Sequence, residues 1–160
     1  MSIIVNSTPL ISLAIVGQLD LLPRIFGDIY LPRAVHNEVI IKGSGKIGHA
    51  QLLEINWFQI IDPVNTSLKH SIMLQLDEGE AEVITIAKDK DIPLVCIDEF
   101  AGRRYASLLK LDVIGTLGIL LIAKKRGYVP AVKPLCDKLL SSERFISREL
   151  YFSVLKKAGE

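Results

Sequence analysis

The segment Pro93-Leu94-Val95-Cys96-Ile97-Asp98-Glu99, residues 93–99, indicates the fold class of this chain. Its apolar part, Pro93–Ile97, is a continuous run of the kind that forms a central strand buried on both faces, and a carboxylate follows it. A helical pattern that begins at Asp77 precedes the run, and another over Glu99–Leu109 follows it. A strand between two helices predicts a parallel sheet, because parallel strands need a crossover connection.

The same alternation of short apolar runs and helical patterns extends in both directions. Further strands are predicted at Ile3–Val5, Ile29–Leu31, Phe58–Ile61 and Val113–Ile114. Further helices are predicted after Ser7-Thr8-Pro9 and over Leu19–Phe26, Arg33–Ile41, His49–Ile55, Thr116–Arg126, Val132–Leu140 and Ser147–Lys157. The hydroxyls of Ser7 and Thr8 are expected to cap the first helix, with Pro9 at its first helical position. We therefore expect an α/β fold whose central parallel sheet is covered on both faces.

Length and composition narrow the class further. The 160 residues suit one domain, residues 1–160, with C-terminal helices from about residue 130, and no repeat or linker divides them. An apolar content of 49% excludes a disordered chain, and a net charge of +1 excludes a uniformly basic nucleic-acid coat. The charge is unevenly spread, since residues 1–80 carry 5 basic and 8 acidic side chains and residues 81–160 carry 14 and 10.

The apolar stretches are too short for a membrane span. Ile3–Val16 and Val113–Ala123 are interrupted by polar residues or glycine, and no basic segment precedes the first of them. Cys96 and Cys136 show no metal-binding spacing and are expected to be buried thiols. These features predict a cytoplasmic protein without a membrane association.

Metal-capable oxygens follow two of the predicted strands. Asn6 comes directly after Ile3–Val5, and Asp98 comes after the strand at residues 93–97. Glu38 and Glu80 lie on helices that could face the same edge, where ligands of open α/β sheets bind. Hard cations such as Mg²⁺ or Mn²⁺ prefer oxygen ligands, so this set suits a metal site that acts on a phosphodiester.

Each of these residues also has an ordinary structural interpretation. Asp77 and Glu80 have the spacing of a helix-capping pair, and Glu82 lies with Glu78 on a different face of the same helix. Only one of these two faces should point toward the site, so Glu80 and Glu82 compete. Asp98 can cap the next helix, Asn6 suits a turn or cap, and Glu38 suits a solvated helix face.

Five short motifs occur in order along nearly the whole chain: Val5-Asn6-Ser7-Thr8-Pro9-Leu10-Ile11, Leu31-Pro32-x-Ala34-Val35-x-x-Glu38-Val39, Leu76-Asp77-Glu78-Gly79-Glu80-Ala81-Glu82, Ile97-Asp98-Glu99 and Gly115-Thr116-Leu117-Gly118. In this order they resemble a PIN-domain protein, and most closely the VapC-like branch of prokaryotic toxin nucleases. The resemblance implies a three-layer α/β/α fold and a Mg²⁺- or Mn²⁺-dependent ribonuclease with an RNA substrate. It also implies a small antitoxin partner and a homodimer.

Carried over position by position, the resemblance places the four acidic positions of the family on Asn6, Glu38, Glu80 and Asp98. Glu82 is the competing choice for the third position, and Ser7 and Thr8 correspond to the small hydroxyl residues beside the first. The adjacent pair Arg103 and Arg104 follows Asp98 on the next predicted helix. We expect this pair to contact substrate phosphates, although a solvated helix face is an equally simple interpretation.

The chain departs from the wider family at the first position, where Asn6 replaces an Asp. An amide oxygen can coordinate a cation but supplies no charge, so metal binding should be weaker. A catalytically inactive PIN-like module that binds a protein or RNA is therefore the alternative hypothesis. A phosphoryl-transfer domain with Asp98 as acceptor is less well supported, because Gly43, Gly45 and Gly48 lack the Lys-Ser/Thr ending of a phosphate-binding loop.

Overall fold

Five parallel strands form one sheet in the computed structural model, which describes residues 1–160. The strands are β1 (Ser2–Val5), β2 (Asp28–Pro32), β3 (Phe58–Ile61), β4 (Leu94–Cys96) and β5 (Asp112–Ile114). Their spatial order is β3-β2-β1-β4-β5, and helices cover both faces. The α/β/α architecture predicted from the alternation of strands and helices is thus confirmed.

Ten helices connect and flank the strands: α1 (Ser7–Ile15), α2 (Leu21–Phe26), α3 (Arg33–His36), α4 (His49–Glu54), α5 (Thr66–Ile72), α6 (Glu78–Asp89), α7 (Phe100–Leu108), α8 (Thr116–Lys125), α9 (Lys133–Ser141) and α10 (Arg148–Ala158). Helix α3 continues directly into a π-helical segment, Asn37–Ile41. None of the helices is long and apolar enough to pass through a bilayer.

The strand order reverses between β1 and β4. The chain first builds β2 and β3 on one side of β1 and then places β4 and β5 on the other. Val5 lies opposite Cys96 in the register, and the Asn6 N–H donates to the Cys96 carbonyl at 3.0 Å. Such a switch point leaves a crevice at the carboxyl ends of the two strands, which is where ligands bind in open α/β sheets.

The middle of the sheet is buried on both faces. Ile3, Ile4 and Val5 of β1 are inaccessible to solvent, as is the stretch Val95–Ile97 in and after β4. This burial confirms the central strand predicted from the continuous apolar run at residues 93–97. Cys96 and Cys136 are buried free thiols, also as predicted.

Two local predictions are wrong. Helix α1 begins at Ser7 with Asn6 as its N-cap, no side chain caps it, and Pro9 is its third residue rather than its first. The Ser7 hydroxyl instead donates to Glu38, a contact that only the folded chain creates. Helix α5 has no counterpart among the predicted helices because its residues carry only a weak apolar pattern. An Asn65 side chain that accepts from the Leu68 N–H at 3.0 Å starts it.

Candidate active site

The switch point between β1 and β4 carries the two residues that the sequence places at strand ends. Asn6 follows β1 and is buried, and half-buried Asp98 stands two residues after the end of β4. The Asn6 amide oxygen lies close to α6, since a Cβ on Gly79 would be 3.2 Å from it. The pairing of β1 with β4 therefore sets the positions of Asn6 and Asp98 at the carboxyl edge of the sheet, and α6 packs against Asn6.

Asp98 is held by the first residue of α8. The Thr116 N–H donates to Oδ1 at 2.7 Å, and the Thr116 hydroxyl donates to Oδ2 at 2.6 Å. Burial raises the pKa of Asp98, while these two bonds work against the rise. Nearby Glu99 raises the pKa and nearby Arg103 lowers it. Asp98 thus has a fixed orientation and a charge that the protein only partly compensates.

Glu38 reaches the edge from the π-helical segment. Its carboxylate accepts from the Ser7 hydroxyl at 2.6 Å, so the first residue of α1 orients it. Glu38 is itself exposed, which leaves its other oxygen open to a ligand. A π-helical turn is rare and occurs often at functional sites, because it redirects one side chain out of a regular helix.

Glu80 both caps its helix and faces the site. Its carboxylate accepts from the Asp77 N–H at 3.2 Å, and Asp77 accepts from the Glu80 N–H at 2.8 Å, which completes a capping box. Its other oxygen points to α7, where a Cβ on Gly102 would lie only 2.7 Å away. Burial raises the pKa of Glu80 to about 7, and the charges of Asp77, Glu99 and Glu38 add to the rise.

Glu82 takes a structural role in the same helix. Its two oxygens accept from the Ala34 N–H at 2.8 Å and from the Lys69 ammonium at 2.9 Å. Two positions along a helix rotate a side chain by about 200°, so Glu82 and Glu80 face different partners. Of the two competing residues, Glu80 is the one placed among the other site carboxylates.

Glu99 joins the group, although the sequence offered it only as a neighbour of Asp98. Its carboxylate accepts from the Thr8 hydroxyl and, at 3.5 Å, from the Asn6 amide. It raises the pKa of both Glu80 and Asp98. The signal available in the sequence was the acidic pair directly after a buried strand.

The arrangement is a cluster of four carboxylates, Glu38, Glu80, Asp98 and Glu99, around a buried Asn at a parallel-sheet switch point. A family model described as a PIN domain matches residues 2–160, which is nearly the whole chain. The chain belongs to the PIN-domain family. No curated protein matches the chain. PIN domains are a family of nuclease folds that generally depend on metal ions, and this gives the carboxylate cluster its chemical context.

The residues of this PIN domain fit a hard divalent cation in their chemistry. The cluster presents oxygen ligands, and burial together with the neighbouring charges of Asp77, Glu99 and Glu38 raises the pKa of Glu80. No three carboxylate, imidazole or thiol side chains stand close enough together to ligate one ion directly. Mg²⁺ commonly takes only one or two carboxylates directly, with water at its remaining positions.

The two arginines predicted to contact phosphate are placed differently from each other. Arg103 donates to the Ile97 carbonyl at 2.8 Å and lowers the pKa of Asp98. Arg104 is exposed on α7. Both line a shallow cleft together with Asp112 rather than either of the two clefts that adjoin the carboxylates. A phosphate contact by this pair stays a prediction.

Two larger clefts open beside the carboxylate cluster of the PIN domain. One, of about 670 Å³, reaches Thr8, Asp98 and Glu99, and we call it the aromatic cleft because Phe100 and Phe145 line it. The other, of about 450 Å³, reaches Glu38 and is called here the Glu38 cleft. Glu143 and Arg144 line both clefts, so the two adjoin at this point of the loop between α9 and α10.

Proposed function

We propose that this PIN domain is a divalent-metal-dependent endoribonuclease that hydrolyses RNA phosphodiester bonds. The observation that carries the proposal is the convergence of Glu38, Glu80, Asp98 and Glu99 on one sheet edge, beside open clefts. A cluster of carboxylates that outnumbers its cationic neighbour Arg103 is suited to a metal ion, and PIN domains are generally metal-dependent nucleases.

Glu38, Glu80, Asp98 and the neutral Asn6 amide oxygen would hold the ion partly through bridging water, since no three of the carboxylates stand close enough to ligate it directly. When bound, Mg²⁺ or Mn²⁺ activates water and stabilises the charge that develops on the phosphodiester. The protein supplies the orientation, since Ser7 fixes Glu38 and Thr116 fixes Asp98. Such prior orientation lowers the cost of assembling the site when substrate arrives.

Glu80 and Glu99 differ in what they can do with a proton. In the metal-free site Glu80, with a pKa of about 7, is able to hold a proton near neutral pH, and a bound cation would favour its ionised form. Glu99 is exposed and is oriented by Thr8 and Asn6 beside the aromatic cleft. We assign Glu99 the orientation of the attacking water through its second carboxylate oxygen.

The choice of RNA, and of a biological role, rests on the resemblance of the five motifs to VapC-like nucleases. On that basis we propose that the chain is the toxin of a cytoplasmic toxin–antitoxin pair, with a small antitoxin protein as its partner and a homodimer as its assembly. We also propose that residues 1–160 act as one domain, with α9 packed against α1 and α10 packed against α8.

One observation favours the alternative of an inactive module. Asn6 is buried, and its amide nitrogen donates to Glu99, an interaction that an Asp at this position could not make while ionised. An inactive module would keep the fold and the clefts and would bind its partner without cleavage. The two hypotheses predict different behaviour of the wild-type protein toward RNA.

The test is cleavage of an RNA mixture by the purified chain with Mg²⁺, with Mn²⁺ and with a chelator. Asp98→Asn removes a site carboxylate, and Asp20→Asn, an exposed residue before α2, is the matched control. We expect metal-dependent cleavage by the wild type and by the Asp20 variant, and none by the Asp98 variant. Equal cleavage by the Asp98 variant would refute the assignment. No cleavage by the wild type, but cleavage by Asn6→Asp, would favour the inactive module.

A further inference from the structure

The aromatic cleft and the Glu38 cleft adjoin each other beside the carboxylate cluster. Asp98 and Glu99 line one cleft, Glu38 lines the other, and both clefts end at Glu143 and Arg144. Two adjoining clefts offer room for a polymer that extends to both sides of Glu143 and Arg144.

Arg144 is the cation positioned for a polyanion in these clefts. It is half-buried, it is the only Lys or Arg in the aromatic cleft, and it lines the Glu38 cleft as well. Its guanidinium takes part in none of the five ion pairs of the structure. A guanidinium with free donors in a groove is well suited to phosphate, which it can bind through two parallel hydrogen bonds.

A backbone turn fixes Arg144 in place. Glu143 has a φ of 62°, in the left-handed region, and the Arg144 N–H donates back to the Leu139 carbonyl at 3.0 Å. This turn ends α9 and directs the following residues across the site. A non-glycine residue in this conformation is strained, and such strain is concentrated at functional positions.

Two aromatic side chains that line the aromatic cleft are exposed to solvent. Phe100, directly after Glu99, is 79% exposed, and Phe145, directly after Arg144, is 91% exposed. Each therefore adjoins a charged residue that lines the cleft, and neither contributes its ring to the core. Exposed rings beside a phosphate-binding group are the usual platform for unpaired bases, which stack on them without regard to sequence.

We propose that Phe100 and Phe145 are base-stacking residues and that Arg144 binds the phosphate between them, so that the aromatic cleft takes a single-stranded segment of RNA. This inference rests on the proposed function and names the residues that select its substrate. Paired bases keep their faces inside the duplex, so a double helix cannot use the two rings.

The test measures binding of an oligoribonucleotide that contains 2-aminopurine, in a chelator so that no cleavage occurs. Stacking of 2-aminopurine on a ring quenches its fluorescence. We expect Phe145→Ala and Phe100→Ala each to weaken binding about 5- to 100-fold and to reduce the quenching. Phe152→Ala is the matched control, because Phe152 is 55% exposed but lies outside the cleft, and it should bind as the wild type does.

Arg144→Gln separates phosphate binding from stacking. We expect it to weaken binding and to lower the slope of log affinity against log salt by about 1, while the quenching of the bound complex persists. Arg148→Gln, an exposed arginine outside both clefts, should leave the slope unchanged. A fully paired duplex of the same sequence should bind equally to the wild type and to both phenylalanine variants.

The outcomes distinguish this inference from the proposed function. Wild-type binding and quenching in Phe145→Ala and Phe100→Ala would overturn the stacking proposal and leave the cleft to a protein partner. If quenching depends on both rings but the wild type cleaves no RNA with either metal, the RNA subsite stands and the nuclease assignment fails. Because both rings are exposed, the variants should fold, and an unchanged thermal midpoint checks this.

Discussion

Thr116 holds both oxygens of Asp98, one through its main-chain N–H at 2.7 Å and the other through its hydroxyl at 2.6 Å. Asp98 is separated from Thr116 by a whole helix and strand, yet the two meet because β4 and β5 are neighbours in the sheet. The N-terminus of α8 thus supplies the donors that keep a half-buried carboxylate charged and oriented.

Thr116→Val should shift the pH dependence of cleavage upward. The hydroxyl bond lowers the pKa of Asp98, so its loss raises that pKa and delays the ionisation that metal binding requires. We expect the acidic limb of the rate profile to move to higher pH. Thr116→Ser keeps the hydroxyl and should behave as the wild type. An unshifted profile in the valine variant would show that the hydroxyl does not tune Asp98.

Glu80→Gln should stabilise the protein when no divalent metal is present. The pKa of Glu80 rises from 4.5 to about 7 on folding, so the folded state loses stability as pH rises through this window. A Gln avoids that loss, and at pH 8 the gain is about 3 kcal/mol at most, from 1.36 kcal/mol per unit of pKa. The gain should vanish below pH 4.5.

Urea unfolding in a chelator measures this difference, with Glu78→Gln as the exposed control on the same helix. Added Mn²⁺ should stabilise the wild type more than the Glu80 variant. A Glu80→Gln protein that is less stable than the wild type at pH 8 without metal would contradict the charge assigned to this residue.

Glu82→Ala should destabilise the fold but leave the cleavage rate of folded molecules intact. The change leaves the Lys69 ammonium, whose side chain is 16% exposed, with only its weaker partner, and it removes the acceptor of the Ala34 N–H. Losing a partner of a buried charge and an acceptor of a backbone donor costs about 2–4 kcal/mol. Urea denaturation measures the cost, and Glu78→Ala should cost about 1 kcal/mol or less. Loss of cleavage at a temperature where the Glu82 variant is folded would move this residue into the site.

Glu160→Gln should remove a contribution to stability that depends on pH. The Glu160 carboxylate accepts from the N–H groups of Val132 and Lys133 and from the Lys124 ammonium. These bonds lower its pKa from 4.5 to about 2, so the stabilisation is complete above 4.5 and is lost as pH falls toward 2. Thermal midpoints of the wild type and the variant should therefore differ at pH 7 and converge near pH 2.5. A difference that stays constant with pH would contradict the role of the charge.

The parts of the molecule that sequence predicted best are those governed by local pattern. The apolar run at residues 93–97 specifies a strand buried on both faces, and helical rotation separates Glu80 from Glu82 without any knowledge of the fold. The sequence could not reveal the bonds of Ser7 to Glu38 or of Thr116 to Asp98, since tertiary packing brings these pairs together.

Other site residues carried little or no local signal in the sequence. Glu99 looked like an ordinary helix cap, and its contact with Thr8 spans 91 positions of the chain. Arg144 and Phe145 belong to a polar loop after α9, and only the docking of the C-terminal helices brings that loop to the switch point. Such residues can be recognised only from the structure, because their role depends on which part of the fold their loop contacts.

The direct pairing of β1 with β4 fixes the spacing between the two strands that carry Asn6 and Asp98. Neighbouring strands stand about 4.8 Å apart, a spacing fixed by the backbone and indifferent to side-chain identity. Asn6 follows β1 and Asp98 follows β4, and the last residues of these strands, Val5 and Cys96, are paired in the sheet. Substitutions in the surrounding loops and helices can reshape the two clefts while the distance between these two anchors is conserved. Variants of this chain could thus change which ligands the two clefts bind while the spacing of Asn6 and Asp98 stays the same.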